Sequence, residues 1–337
     1  ANEALVNIPL KSPASPEKNA RLVAEVKFLR AFFYFRLNEL FGRDGLGVPL
    51  YTEPITIDEC VDSQSPEDDI WAQVVKDLTE AIEETNLPDK VNTGRISKGA
   101  AYALRGKAYL YQGAKYAVGG SVTKNEELLR KAVADFDKVG QCGYKLFPDY
   151  KELFKEVNEH CDEMIFSIQH TADKYYGTSS QRVLGNRSAY SATGESWATL
   201  SASPVIMNLY EYADGKPFSW DDIIPGYSGL TEPADRMIYY LRDTLDANGN
   251  IITQLGNNRP LDVTVRNSVS KYVNGAKATS VKNAYLPYGN EARFRKVFEN
   301  RDPRLHATFI TPYAGLVGGF SFHGAATPTD GCWSFPV

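Results

Sequence analysis

The chain has 337 residues, 43% of them apolar and 23% charged, and a net charge of −5. That length can bury a substantial core in one large domain or two. The acidic balance argues against nucleic-acid binding, which needs a basic face, and the lack of any apolar run of about eighteen residues argues against a membrane-spanning helix.

The first half reads as helical. Ser15-Pro16-Glu17 supplies a start, with Ser as the cap and Pro at the first position. Leu22, Val26, Leu29, Phe33, Leu37 and Leu40 then recur at spacings of three and four, which predicts one apolar stripe ending at Gly42. Ser65-Pro66-Glu67-Asp68 opens a second helix in the same way; it carries Trp71, Val74, Leu78, Ala81 and Ile82 inward and stops before Pro88. Ser97 caps a third, with Ala101, Leu104, Ala108 and Tyr111 on its stripe. A fourth, near Glu126 to Val139, buries Leu129, Ala132, Phe136 and Val139.

These four helices fall into two hairpins. Tyr102-x-x-Arg105-Gly106-x-x-Tyr109 and Ala132-x-x-x-Phe136-x-x-Val139 resemble the two helices of a tetratricopeptide repeat, with small Gly106 admitting close approach. Stacked hairpins bury a shared core and leave one concave face for partners. The loop around Gly113 to Asn125 is longer than a standard repeat allows.

The second half changes character. Met164 to Gln169 reads as a short strand, and a long Tyr-, Gly- and Ser-rich run follows from Thr171 to Ser203. Ser203-Pro204 starts a helix that ends by Gly215, after which Gly, Pro, Asn and Asp punctuate short segments. Such long irregular stretches are functional loops or a wrapping of the helical core. The fold expectation is therefore mainly α: residues 1–150 form a helical, repeat-like scaffold, and residues 151–337 form a loop-rich ligand-binding region integrated with it as one domain.

Several separated segments carry a family resemblance. They are Ala24 to Gly42 with Val48-Pro49-Leu50, Gly94-Arg95 with Lys98-Gly99-Ala100-Ala101, and Asp149-Tyr150 with Leu153-Phe154. Asn158-Glu159, Asp214-Gly215-Lys216-Pro217-Phe218 and Arg301-Asp302-Pro303-Arg304-Leu305 follow in order. This ordered set resembles the SusD/RagB family. The resemblance implies a surface lipoprotein on the extracellular face of the outer membrane, which captures a glycan, or less often a peptide, for a TonB-dependent transporter. It also implies a signal peptide and a lipidated N-terminal Cys. Neither is visible at Ala1, and Cys60 lies too deep in the chain to serve, so the chain reads as an internal portion of a longer protein. The membrane would then be reached only through an N-terminal lipid anchor outside this chain. A cytosolic repeat adaptor that docks a protein is the alternative reading.

Aromatic rings are the physical requirement for glycan capture, because the apolar face of a pyranose stacks on them while amide, carboxylate and Arg groups bind the hydroxyls. The chain holds Tyr 20, Phe 16 and Trp 4. The candidate contacts are Trp197, Tyr190 and Arg187 in one loop, Trp220 and Tyr227 flanking Asp221 and Asp222 in a second, and Tyr176. The alternative for each ring is that it plugs a loop onto the core. Trp71 sits on a helix stripe and belongs to the core, and Arg301-Asp302-Pro303-Arg304 reads as a structural bridge.

No enzyme motif competes. There is no G-x-S-x-G, Walker loop, dinucleotide fingerprint or H-E-x-x-H, and Asn158-Glu159-His160-Cys161-Asp162-Glu163 fits no zinc template, so neither cofactor nor metal is expected. The paired acids Asp68/Asp69, Glu83/Glu84 and Asp221/Asp222 are adjacent in sequence, whereas glycoside hydrolysis needs two carboxylates held across a cleft. Cys60, Cys142, Cys161 and Cys332 form no C-x-x-C pair, which leaves buried thiols or one bridge open.

Overall fold

The structure, a computed structural model, describes residues 1–92, 94–116, 122–170, 203–230, 250–255, 259–260 and 290–309, with single residues at 236, 246, 248, 267 and 270. The chain divides into two compact units, residues 1–176 and 177–337. No helix among the described residues is long and apolar enough to cross a membrane.

The first unit is a run of helices. They are α1 (Asn2–Lys11), α2 (Pro16–Phe41), α3 (Glu67–Glu83), α4 (Lys98–Gly113) and α5 (Glu126–Gln141), with a short α6 (Tyr150–Leu153) after them. Residue pairs fix the directions. Along α2 and α3, Lys27 meets Glu80, Arg30 meets Asp77 and Phe35 meets Trp71. Between α3 and α4, Thr79 meets Arg105 and Trp71 meets Tyr111. Between α4 and α5, Gly106 faces Phe136 and Gly113 faces Leu129. One number rises as the other falls in every case, so α2, α3, α4 and α5 are successively antiparallel, as the two predicted hairpins require. The long loop between α4 and α5 holds a small hairpin in which β1 (Ala114–Tyr116) pairs antiparallel with β2 (Val122–Lys124).

The caps explain most helix starts. The Ser15 hydroxyl accepts the Lys18 N–H, with Pro16 at the first helical position, and the Ser97 hydroxyl accepts the Ala100 N–H. Asn125 caps α5 through the N–H groups of Glu127 and Leu128. Ser65 departs from expectation: it does not cap α3. Its hydroxyl accepts the Leu50 N–H at 3.1 Å, and the Gly47 N–H donates to its carbonyl, so Ser65 ties the chain after α2 to the start of α3.

The buried face of α2 also departs from the predicted stripe. Ala24, Phe28, Ala31, Phe35 and Asn38 are buried, whereas Phe33 (55% exposed), Leu37, Leu40 (62%) and Phe41 face outward. Apolar residues surround this helix, so two registers satisfy the period. The structure adopts the one with small Ala24 and Ala31, which lets neighbouring helices approach. Tyr111 and Phe136 are likewise partly exposed, although the Phe136 ring covers Gly106 as expected. The α3 residues Trp71, Val74, Leu78, Ala81 and Ile82 are buried as predicted. Together with Phe28, Phe35, Ile96, Ala100, Ala101, Leu104 and Ala108 they form the core.

Polar ties cross this core. Arg30 donates from Nε and Nη2 to both oxygens of Asp77, at 2.8 and 2.7 Å, and from Nη1 to the Asn2 side chain and the Thr52 carbonyl. The Asn2 amide in turn donates to the carbonyls of Tyr51 and Glu53, so α1, which has no buried residue, is held by hydrogen bonds. The hydrogen bond to Asp77 raises the Arg30 pKa further above its already high value, which keeps the group charged. Arg105 makes the equivalent two-pronged contact with Asp135.

Residues 142–170 run back over the turn between α3 and α4. Tyr144 is buried, its hydroxyl 2.8 Å from the Ser97 hydroxyl, and Lys90 pairs with Asp162 and donates to the Gly143 carbonyl. The predicted strand at Met164 to Gln169 is irregular instead. Among the described residues no second strand pairs with it, and Ile165 and Phe166 pack on the helical core, Phe166 edge-on to Phe28 at 5.3 Å. A Cβ on Gly99 would lie 2.3 Å from the Tyr144 ring. Gly99→Ala is therefore expected to cost about 1–3 kcal/mol by overpacking, read as a lower urea midpoint at unchanged slope.

In the second unit, Ser203 caps a short helix, Pro204–Leu209, which ends well before Gly215. Trp220, Ile224, Tyr227, Phe294, Val297 and Phe298 form its core among the described residues. Arg301 is buried there. It donates to the carbonyls of Val297, Met207 and Tyr210 at 2.8–2.9 Å and lies 3.6 Å over the Phe218 ring. This is the bridging role its motif suggests. Burial pushes its pKa down from the usual guanidinium value.

Candidate functional site

Trp220 and Tyr227 are the candidate ligand contacts that the structure describes. Ser219 opens the single turn Trp220–Asp222 by accepting the Asp221 N–H, and this points the indole inward. Trp220 is 8% exposed and Tyr227 7%. The two rings stack on each other, 4.6 Å between centroids and 19° between planes. Phe218 closes the Trp220 edge at 5.8 Å, and the Arg236 guanidinium lies 5.5 Å over Tyr227. The indole N–H donates to the Asn208 side chain at 3.1 Å. A stacking platform needs an open face, and both rings here are covered by protein. The expectation that they present faces to a sugar gives way to the alternative in which they plug the loop onto the core. Nothing in the local sequence marks Asn208 as the indole's polar partner, because it lies on the preceding helix, Pro204–Leu209.

Polar groups surround this cluster. The Asp221 carboxyl is held below its usual pKa by the Ser228 side chain and by the Ser228 N–H, which donates at 3.1 Å. Tyr212 donates to Asp222 at 3.2 Å, and burial, with that bond, raises its phenol pKa. Asp221 thus accepts from the backbone of its own loop and Asp222 from the Tyr212 hydroxyl. Trp197, Tyr190, Arg187 and Tyr176 lie outside the described residues.

A polar slot in the first unit lies at the root of the Tyr-rich run. Asn92, Glu159, His160, Ser167 and Gln169 line it over Ile165 and Phe166. Gly94 adopts φ +70° there, and a Cβ on it would lie 2.8 Å from Gln169. The free space is about 10 Å³, room for one water and too little for a sugar ring. No cluster of three or more His, Cys, Asp or Glu side chains that could hold a metal occurs among the described residues. Cys60, Cys142 and Cys161 are free thiols, and Cys332 lies outside the described residues.

Comparison with known proteins places this framework. The profile described as the SusD family matches residues 162–330, half of the chain, and one described as "starch-binding associating with outer membrane" matches residues 1–110. The chain belongs to the SusD family. It is 30% identical over 175 residues to SusD-like protein P25 of Formosa agariphila, covering 51% of this chain and 30% of that protein. It is 27% identical over 241 residues to the starch-binding protein SusD of Bacteroides thetaiotaomicron, covering 68% and 40%. The chain thus spans less than half the length of these curated relatives. Among solved structures, a SusD superfamily protein from Parabacteroides distasonis superposes with a TM-score of 0.51 at 24% identity, covering 65% of this chain and 45% of that one. A SusD-like carbohydrate-binding protein from Bacteroides fragilis gives 0.50 at 24%, covering 75% and 47%. These two likenesses establish the fold, a mainly helical SusD-type architecture.

Proposed function

We propose that this SusD-family chain is part of an outer-membrane protein that binds an oligosaccharide or polysaccharide on the extracellular face and passes it, unaltered, to a TonB-dependent transporter. The observation that carries the reading is the family match, together with an alignment to a starch-binding relative over 68% of the chain. In this reading residues 1–150 are the scaffold and the region from 151 onward meets the ligand. Tyr176, Arg187, Tyr190 and Trp197 supply the rings and the guanidinium that contact sugar, while Trp220 and Tyr227 brace the second unit from within. The protein reaches the membrane through a lipid anchor in the longer polypeptide.

Calorimetric titration against soluble starch, laminarin and xyloglucan tests this. Binding to at least one is expected, with no reducing sugar released. Trp197→Ala is expected to weaken that binding at least about tenfold, roughly 1.4 kcal/mol, at unchanged melting temperature. Silence on every glycan, with binding of peptides instead, would replace the reading with the family's peptide-binding alternative. Turnover of the bound glycan would overturn it.

A further inference from the structure

An open basin of about 520 Å³ lies in the first unit at the start of α2, within the size range of small-molecule sites. Glu17, Lys18, Arg21, Leu22, Asn86 and Arg95 line it. Their charges are arranged unevenly. Arg21 and Arg95 both lean on one carboxylate, Glu25, which is itself only 7% exposed. A single buried acid therefore fixes two guanidinium groups that are themselves about 34% and 51% exposed, and it neutralises only one of them. Lys18 has no carboxylate partner among the described residues. The Glu17 carboxylate is already engaged by its own backbone N–H and by Ser15. The lining itself thus carries three cations, Lys18, Arg21 and Arg95, and one carboxylate, Glu17, with Glu25 behind the two guanidinium groups and Glu84 behind Asn86, in a chain whose net charge is −5.

Arg95 gives Nε and Nη2 to the two Glu25 oxygens and Arg21 gives its Nε, so the remaining Nη donors of these held groups, beside the Lys18 ammonium, are what match a carboxylate or sulfate. Half-buried Leu22 adds an apolar patch, which a bare ion would not use and a sugar ring would, while the Asn86 amide already donates to Glu84 at 2.7 Å. We propose that this basin binds the carboxylate or sulfate group of an acidic oligosaccharide. The source of the anion rests on the glycan-binding reading above; the anion chemistry does not.

The test is calorimetric titration of the full chain with trigalacturonate, maltotriose and sodium sulfate, at low and high salt. Trigalacturonate is expected to bind, more weakly at high salt, and to lose at least about tenfold in affinity in the double variant Lys18→Gln with Arg95→Gln. Lys18→Glu, at an exposed position that leaves the Glu25 cluster intact, is expected to weaken it as well and guards against a folding defect in the double variant. Sulfate binding as tightly as trigalacturonate and displacing it would support the anion site and assign it to free anions. Failure of both anions, equal binding by maltotriose at the same site, or variants that bind as the parent does would overturn the inference. Neutral-glycan binding in the panel above is expected to survive both variants, so failure of this site and failure of the general reading remain distinguishable.

Discussion

Asp77→Ala is expected to destabilise the first unit by about 3–5 kcal/mol. Asp77 is fully buried, and removing it leaves the Arg30 guanidinium buried without its two-pronged acceptor. Asn2 and the Thr52 carbonyl still accept from Nη1, but they carry no full charge to oppose it. Gln73 also loses the acceptor of its side-chain amide. The measurement is hydrogen exchange of peptides from α2 and α3 across a urea series, which reads this unit separately. Replacing both partners, Arg30→Met with Asp77→Leu, is expected to recover most of the loss, because no isolated charge remains. A loss under about 1 kcal/mol for the single variant would show that the site hydrates easily and that the pair contributes little.

Trp220→Ala is expected to cost the second unit about 3–5 kcal/mol, the range for removing a large buried ring. It would uncover one face of Tyr227 and leave the Asn208 side chain without its indole donor. Hydrogen exchange in peptides from 204–230 and 290–309 reports the stability, and titration of the folded chain with whichever glycan binds reports the function. Faster exchange with affinity within about twofold of the parent fits a ring that supports the loop. Unchanged exchange with lost affinity would restore the platform role expected from the sequence.

Local chemistry was legible in the sequence, and competition between elements was not. Ser15-Pro16 and Ser97 cap helices because a hydroxyl beside its own helix has a near partner. Ser65 has the same pattern but spends its hydroxyl on Leu50, fifteen residues away in sequence, and no local pattern shows that. The α3 stripe was readable because its polar and apolar faces are distinct. On α2 the apolar residues run round the helix, so the period gave a stripe but not the side on which α3 packs. Met164 to Gln169 has strand composition, yet strands need partners, and the helical core offered Phe28 and Phe32 instead. For the site, the sequence could rank rings by loop context but could not tell a ring facing a sugar from one facing another ring. Trp220 and Tyr227 show the difference, because tertiary stacking covers faces that loop composition suggests are open.

The two Arg–Asp clasps, Arg30 with Asp77 and Arg105 with Asp135, have a consequence for assembly. Sliding either helix by one turn along its neighbour would strand an ionised group in an apolar setting, whereas the surrounding Ala and Leu side chains would tolerate the shift far better. The clasps therefore act as alignment pins. They penalise every slipped pairing of these otherwise interchangeable rods, and so they select one stacking from several that greasy contact alone would accept.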